Sequence, residues 1–535
     1  MGGERTGGGQ PRAAGLRLSE RRGKWVLFTT VLGSGMALLD GTVVNVALPH
    51  IGEDLGAGLA GLQWTVNAYL LTLAGLILLG GALGDRYGRR RVFTAGVVWF
   101  ALASVLCGLA PDAGVLVAAR ALQGVGGALL TPGSLALLQS TFHPDDRARA
   151  VGAWSGLGGV AAAVGPFVGG WLVDGPGWRW VFLINAPLAL VCLVAARRHV
   201  PETRDTAASG RFDVAGAALA AFALGGVTYA LIAAPEQGLS AVVAGSAAGG
   251  VVLGAAFVRL ERRLAAPMVP PAVFRSRQFT AVNAVTLCVY AAFGGFFFLS
   301  VVQLQVVVGY SALQAGVALL PTTLLMLLLS SRSGALGQRI GPRLPLTAGP
   351  LLCAGGMLLF TRAGPGASYP FDVLPGLAVL GTGMVLLVAP LTATVLASVD
   401  VSRAGLASGV NNAVARAAGL VAVAALPLLA GMGPDAYRNP AAFDASFGRA
   451  MTWCAAVLAV GAVVAWLSVR GDVLESGGEA EGGGAEKPGE ADGAAAGGGG
   501  GAPEGPRPCG PRCRTHCAVS APPLDPGDAA APEQG

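Results

Sequence analysis

Charged residues are scarce in this sequence. Only 12% of its 535 residues are Asp, Glu, Lys or Arg, whereas 53% are hydrophobic, and the mean hydropathy is +0.62. A soluble chain of this length needs far more charge to cover its surface, so lipid must be the solvent for most of it. The composition therefore argues against a soluble globular protein and predicts a polytopic membrane protein.

The residues that two kinds of catalytic machinery need are also few. Lysine occurs only at Lys24 and Lys487, and neither belongs to a glycine-rich loop that cradles a nucleotide phosphate, so we expect no ATP hydrolysis. Only four histidines are present, and none forms a metal-ligand pair. We therefore predict that the protein is not an enzyme and needs no cofactor or metal.

The eight cysteines do not form a disulfide scaffold. Five stand singly in apolar stretches, where cysteine behaves as a small hydrophobe. The other three, Cys509, Cys513 and Cys517, lie with His516 near the C-terminus, at a spacing that matches no standard zinc framework. We predict no metal site there, and the sequence assigns no role to this cluster.

Long apolar runs dominate the chain instead. About fourteen can be counted, and most are long enough to span about 30 Å of hydrocarbon at 1.5 Å per residue. They cover residues 25–48, 62–83, 92–110, 114–140, 150–173, 180–196, 214–234, 241–258, 280–302, 316–333, 346–363, 374–399, 409–432 and 451–469. The predicted fold is all-α with about 14 transmembrane helices, and the count is open by one where residues 235–260 turn over.

The net charge is +6, and the positions of the basic residues indicate the membrane topology. Arginines concentrate in alternate loops, beginning with the loop at Arg86, and this pattern predicts a multi-pass inner-membrane protein with both termini in the cytoplasm rather than a partner of nucleic acid. The opposite loops hold few basic residues beyond Arg179, Arg362, Arg438 and Arg449.

The chain repeats itself. Residues 81–90, GALGDRYGRR, recur as residues 334–343, GALGQRIGPR, and parallel repeats of this kind form the two halves of a transporter with the substrate site between them. We predict six-helix bundles at residues 25–196 and 280–470, joined by two linker helices within residues 197–279. A cytoplasmic segment, residues 1–24, precedes them, and residues 471–535 are predicted to be a disordered cytoplasmic tail because they contain too little apolar content for a core.

The segment at residues 81–90 resembles the loop signature of the major facilitator superfamily. Four further segments, residues 39–51, 120–128, 165–170 and 178–187, resemble motifs of its fourteen-helix drug:proton antiporters, and together the likeness covers residues 25–470. The resemblance implies a proton-coupled antiporter that exports amphipathic drugs or antibiotics across the cytoplasmic membrane. Its expected partners are small amphipathic substrates, protons and the lipid bilayer, and we expect a monomer.

The loop signature predicts a gate on the cytoplasmic face. Its glycines permit a tight turn, and Asp85 can accept hydrogen bonds from loop arginines and from a neighbouring helix N-terminus, which would lock this face. The alternative is that the charges only set the topology. The second copy has Gln338 where the first has Asp85, so any latch is asymmetric. The predicted gating residues are Gly81, Asp85, Arg86, Gly88, Arg89 and Arg90.

Two charged residues, Asp40 and Arg120, fall inside the apolar runs of residues 25–196. A charge at membrane depth costs about 2.5–3.5 kcal/mol, so Asp40 is the predicted proton carrier and Arg120 its counter-ion. Protonation of Asp40 would weaken the pair and bias the two states of the transporter. Two alternatives remain: Asp40 lies near a helix end and bonds only to the backbone, or Arg120 is a fixed structural tie to the first helix.

The fifth run carries small residues at helical spacing. Gly165, Pro166, Gly169 and Gly170 predict a close-packed seam with a proline kink, suited to sealing a half-pore against proton leak. The resemblance implies that this motif marks antiporters.

A substrate cavity is predicted between the halves. Its polar residues are neutral or basic, which argues against bulky cations and fits neutral or anionic amphipathic substrates. The aromatic members could instead contact lipid or other helices. The predicted lining residues are Asn45, Gln123, Tyr290, Phe293, Phe297, Asn411, Asn412 and Arg416.

Three rival functions fit the same sequence: an exporter dedicated to one self-made metabolite, a receptor that binds but does not transport, and an importer. The motif at residues 165–170 argues against the importer.

Overall fold

The computed structural model describes residues 15–204, 213–264, 267–399, 404–433, 436 and 439–471. Fourteen helices in these ranges are long and apolar enough to cross a membrane, which confirms the predicted all-α membrane fold. The predicted tail beyond residue 471 lies outside the described residues, together with its cysteine cluster, residues 1–14 and Arg438. All of the described residues belong to one unit of the chain, residues 1–482.

The first six helices form the first half. Their bounds are α1 Arg21–Asp54, α2 Leu59–Tyr87, α3 Arg89–Gly108, α4 Ala113–Thr141, α5 Pro144–Asp174 and α6 Trp180–His199. The last of these is interrupted at Ile184. α4 packs closely against α2 and α3 because glycine removes the side chains in between: a Cβ at Gly126 would lie 2.6 Å from the backbone nitrogen of Phe100.

Two helices follow, α7 Val214–Gln237 and α8 Ala241–Glu261. A turn at Gly238, where φ is +60°, separates them, and this settles the count that the sequence left open at residues 235–260. The side chain of Ser240 caps α8 by accepting from the N–H of Val243. α8 packs on α7, and α7 packs against α2 of the first half.

The last six helices form the second half, and three of them change geometry along their length. α9 Arg277–Val302 continues as a π-helical turn, α10 is split into Ala312–Ala318 and Leu320–Ile340, and a π-helical turn precedes α12. The remaining bounds are α11 Arg343–Phe360, α12 Leu374–Ala397, α13 Ala404–Leu429 and α14 Pro440–Ser468.

Two helices begin six or more residues before the apolar runs predicted. α5 starts at Pro144 and α14 at Pro440, each with proline in its first turn, a position that costs no hydrogen bond. Asp145 and Asp146 in the first turn of α5, and Asp444 and Arg449 further into α14, kept both stretches out of a search for apolar runs. Arg449, which the sequence suggested for a loop, accordingly lies inside α14.

The two halves meet along four helix pairs: α5 with α10, α2 with α13, α1 with α9 and α1 with α10. We call the end of the bundle where α1 finishes the Asp54 end and the opposite one the Gly88 end. The interhelical hydrogen bonds that join the halves in the described ranges gather at the Asp54 end. Gln63 Nε2 donates to the Val423 carbonyl at 2.7 Å, and Gln305 Nε2 donates to the Val46 carbonyl at 2.9 Å.

Asp174 completes the closure of the Asp54 end. Its carboxylate accepts from the Ser311 hydroxyl at 2.7 Å and from the N–H of Leu313 at 2.9 Å, so the last residue of α5 caps the start of α10. The structure therefore holds the two halves together at the Asp54 end.

Candidate functional site

Asp40 is fully buried well inside α1, and both of its carboxylate oxygens have side-chain partners. Oδ2 accepts from Arg120 Nη1 at 2.5 Å. Oδ1 accepts from Gln123 Nε2 at 2.8 Å and from Asn185 Nδ2 at 3.3 Å. The carboxylate thus ties α1 to α4 and α6, and it does not lie near a helix end.

Arg120 is 1% exposed and is fixed by groups from three helices. Its Nε donates to the Thr65 carbonyl at 3.0 Å, and Nη1 also donates to Gln123 Oε1 at 2.6 Å. The guanidinium carbon lies 4.4 Å from the centroid of the Tyr69 ring, which adds a cation–π contact. These contacts supply the partners that a guanidinium needs at membrane depth.

Ser104 of α3 completes the network, and the sequence analysis missed it. Its hydroxyl accepts from Gln123 Nε2 at 3.0 Å and from Asn185 Nδ2 at 2.9 Å, and it donates to the Phe182 carbonyl at 3.0 Å. The signal available in the sequence was a single serine within an apolar run. The attraction within a buried ion pair offsets the cost of desolvation only if further hydrogen bonds satisfy the remaining donors and acceptors. The neutral side chains of this network provide those hydrogen bonds for the Asp40–Arg120 pair.

A cavity of about 610 Å³ lies between the two halves. α1, α2 and α4 form one wall, and α9, α10, α12 and α13 form the other. Of the residues predicted to line it, all but one do so: Asn45, Tyr290, Phe293, Phe297, Asn411, Asn412 and Arg416. Gln123 lies instead behind the wall, in the network of Asp40. Arg120 is also a lining residue, although its side chain is only 1% exposed, so the buried pair lies beside the cavity.

The second half contributes amides, aromatic rings and a cation to this cavity. Asn411 Nδ2 donates to Thr286 Oγ1 at 2.7 Å. Arg416 Nε donates to Asn412 Oδ1 at 3.1 Å. The rings of Tyr290 and Phe293 meet edge to face with centroids 6.2 Å apart. The cavity therefore combines an apolar aromatic surface with a few polar groups, as small-molecule sites do.

The predicted gating residues lie in and beside the turn at Gly88. Asp85 accepts from Arg89 Nε at 2.8 Å within the loop. Gly88 has φ +109°, which a side chain would strain. Gly81 lies against Pro132 of α4, and Arg86 lies beside the ring of Tyr87.

Glu202, which the sequence analysis missed, takes the helix N-terminus that was expected for Asp85. Its Oε1 accepts from the N–H of Arg90 at 3.1 Å, at the start of α3, and Oε2 lies 3.6 Å from Arg90 Nε and 3.7 Å from Arg91 Nε. Arg90 Nη1 also donates to the Val200 carbonyl at 3.0 Å. The loop is thereby tied to the segment that follows α6, more than a hundred residues further along.

The second copy of the loop is built differently. Gly341 repeats the positive φ, at +75°, and Arg343 lies over the Trp466 ring at 4.2 Å. An aromatic face thus replaces the carboxylate partners of the first copy.

The small residues of α5 divide between two neighbours. A Cβ at Gly165 would lie 3.1 Å from Thr42 Cβ, and one at Gly169 would lie 2.9 Å from Val43 Cγ1, so both face α1. A Cβ at Gly170 would lie 2.6 Å from the Ala312 carbonyl oxygen of α10, and the Pro166 carbonyl meets Gly316. The motif therefore packs α5 within its own half and, at the Asp54 end, against the other half.

The family model described as Major Facilitator Superfamily matches residues 30–423. The chain belongs to the major facilitator superfamily. This establishes the protein as a transporter and confirms the resemblance that the loop at residues 81–90 indicated.

Curated relatives of this superfamily carry resistance names. The puromycin resistance protein pur8 of Streptomyces alboniger is 36% identical over 83% of this chain and 91% of its own length. The multidrug resistance protein Stp of Mycobacterium tuberculosis is 37% identical over 72% of each chain. The tetracenomycin C resistance and export protein of Streptomyces glaucescens is 36% identical over 75% of each.

Solved structures share the superfamily fold. The POT family transporter PepTSo superposes with a TM-score of 0.61 at 16% identity, over 84% of this chain and 97% of that one. A bacterial homolog of the human lysosomal transporter Spinster, in an inward-facing and unoccupied conformation, gives 0.61 at 17% identity, over 86% and 98%. At such identities the likeness concerns the fold alone.

The Gly88 loop yields a prediction for this superfamily member. Glu202→Gln removes the charge that faces Arg90, Arg91 and the N-terminus of α3, an interaction worth about 0.3–1 kcal/mol at a helix end. We expect transport to slow by about two- to fivefold, with normal expression and folding. Initial rates in membrane vesicles check this, with the exposed Glu236→Gln on α7 as the matched control. Equal rates for the two variants would contradict a gating role.

Proposed function

We propose that this chain is a proton-coupled antiporter that exports amphipathic drugs or antibiotics across the cytoplasmic membrane. The observation that carries the proposal is the fully buried Asp40–Arg120 pair beside a cavity between the two halves, with Arg120 among the residues of the cavity wall. The relatives named for antibiotic and multidrug resistance support export as the direction of transport.

Asp40 carries the proton in this proposal. When it is ionised, it neutralises Arg120 and accepts from two further side chains, which ties α1 to α4 and α6. Protonation removes the negative charge and weakens all three contacts, so the relative energies of the two transporter states change. Inward proton movement supplies about 2.3 kcal/mol per charge for each 100 mV of membrane potential, enough to maintain a useful substrate gradient.

The arginine-rich Gly88 end lies in the cytoplasm in this proposal, together with both termini. Because the halves are joined at the Asp54 end, this structure corresponds to the state in which substrate enters from the cytoplasm or the inner leaflet. We expect the transporter to act as a monomer, since both walls of the cavity come from one chain.

A susceptibility panel tests this function. The full chain is expressed in an efflux-deficient bacterial host, with an empty-vector control, and unrelated amphipathic antibiotics are titrated with and without a protonophore. We expect increased resistance to several compounds, lost on uncoupling. Resistance to one compound would indicate a dedicated exporter, and no resistance would favour the receptor or importer.

A further inference from the structure

We propose that Arg416 is the anion-binding residue of the cavity and that the preferred substrates are acidic aromatic amphiphiles, compounds with a carboxylate or phenolate on a ring system. That these compounds are exported rests on the proposed function above, whereas their binding at Arg416 does not. It narrows the substrate class, which the sequence left open between neutral and anionic compounds.

The position of Arg416 makes it costly unless it has a ligand. It lies near the middle of α13, where a charge at membrane depth costs about 2.5–3.5 kcal/mol. Its hydrogen bond goes to the neutral Asn412, and within the described ranges no carboxylate forms an ion pair with it. Arg120, by contrast, has Asp40. Arg416 is therefore a cation at membrane depth that faces a cavity without a counter-ion.

The charge balance of the whole cavity points the same way. Among its described lining residues, the charged side chains are Arg120 and Arg416, and none is a carboxylate. Asp40 compensates Arg120 from behind the wall, so about one positive charge is left over. The other titratable side chains of the lining are Tyr69 and Tyr290, whose hydroxyls are neutral at ordinary pH. An organic cation finds no counter-charge here, whereas an anion finds one.

The rest of the cavity fits the ring system of such a substrate. Tyr290, Phe293 and Phe297 present consecutive edge-to-face rings, and Met326 and Met384 add polarisable apolar surface. The volume of about 610 Å³ lies within the range of small-molecule sites, about 300–1,000 Å³. A guanidinium also matches the two oxygens of a carboxylate with two parallel hydrogen bonds, which Lys cannot do.

Binding of two matched dyes tests the proposal. Fluorescein, which is anionic at neutral pH, and rhodamine 123, a cation of similar ring structure, are titrated onto the purified full chain in lipid nanodiscs, with fluorescence polarisation as the readout. We expect fluorescein to bind more tightly than rhodamine 123. Arg416→Gln should weaken fluorescein about tenfold or more without weakening rhodamine 123, and Arg416→Lys should retain an intermediate affinity.

Control variants separate binding from folding. Arg449→Gln removes an arginine of the same half that bonds to Ser446 and is not in the cavity lining, and it should leave both affinities unchanged. Arg416→Gln should unfold at the same temperature as the parent or at a higher one, because the substitution removes an unpaired charge from membrane depth.

Three binding results would overturn the proposal: tighter binding of rhodamine 123, unchanged fluorescein affinity in Arg416→Gln, or binding of neither dye. Proton-driven uptake of the dyes into proteoliposomes is measured separately. Fluorescein binding that depends on Arg416 but no proton-driven movement would leave the binding assignment standing and reject the export function. Proton-driven movement that is insensitive to Arg416 would leave the export function standing and reject the binding assignment.

Discussion

Asp40→Asn is expected to reduce proton-driven accumulation of substrate in inside-out vesicles by about a hundredfold or more. A hundredfold lower accumulation ratio corresponds to about 2.7 kcal/mol of lost driving free energy. Asparagine keeps the shape of the side chain but cannot take up and release a proton. Substrate exchange across the membrane without a proton gradient should persist, because exchange needs both conformations but no net proton movement. The measurement compares respiration-driven uptake with counterflow in the same vesicles.

Asp112→Asn is the matched control for that variant. Asp112 caps α4 by accepting from the N–H of Val115, and asparagine caps helices equally well, so uptake should be unchanged. The pair itself gives a second control: Asp40→Asn and Arg120→Gln each leave one buried charge unpaired, so each single variant should destabilise the protein by about 3–5 kcal/mol. The double variant should recover stability but not uptake. Proton-driven uptake retained in Asp40→Asn would reject Asp40 as the proton carrier.

Gly170→Val is expected to open the Asp54 end and to reduce transport about tenfold or more. The valine side chain has no room against the backbone of Ala312 and Leu313, so α5 and α10 cannot close on each other as they do in this structure. Spin labels at Glu53 and Phe371, both exposed near this end, should report a longer distance in the variant, measured in a background without native cysteines.

Gly159→Val should act in the opposite direction. Gly159 lies eleven residues before Gly170, about 20° from it around the helix at 3.6 residues per turn, but a Cβ there meets nothing within 4 Å. We expect another helix to pack against Gly159 only when the Gly88 end closes. The variant should therefore keep the label distance of this structure while still slowing transport. Equal shifts of the label distance in both variants would contradict alternate closure of the two ends along α5.

Much of the fold followed from bilayer physics, because the thickness of the hydrocarbon sets the length of an apolar run. The helix count was therefore predictable, and the early starts of α5 and α14 were not. Their N-terminal segments contain charged residues, such as Asp145 in α5 and Asp444 in α14, that interrupt the apolar pattern. Hydropathy cannot separate such a segment from a loop.

The candidate site was predictable where charge is costly and not where neutral groups support it. Asp40 and Arg120 stood out because an ion in an apolar run needs a partner. Ser104 and Glu202 did not, since their roles depend on which helices meet: Ser104 contacts Gln123 and Asn185 only in the folded bundle. Gln123 was predicted to line the cavity but bonds to Asp40 instead. The sequence shows which face of the helix it occupies, but not whether that face meets the cavity or α1.

The most direct test of the proposed coupling is proton movement itself. The purified chain is reconstituted in proteoliposomes with a trapped pH-sensitive dye, and an outward gradient of a substrate identified in the susceptibility panel is imposed without any pH gradient. We predict that substrate efflux drives protons inward and acidifies the lumen, and that the acidification disappears in Asp40→Asn. Downhill substrate efflux from liposomes containing the parent protein with no change in lumenal pH would contradict the account.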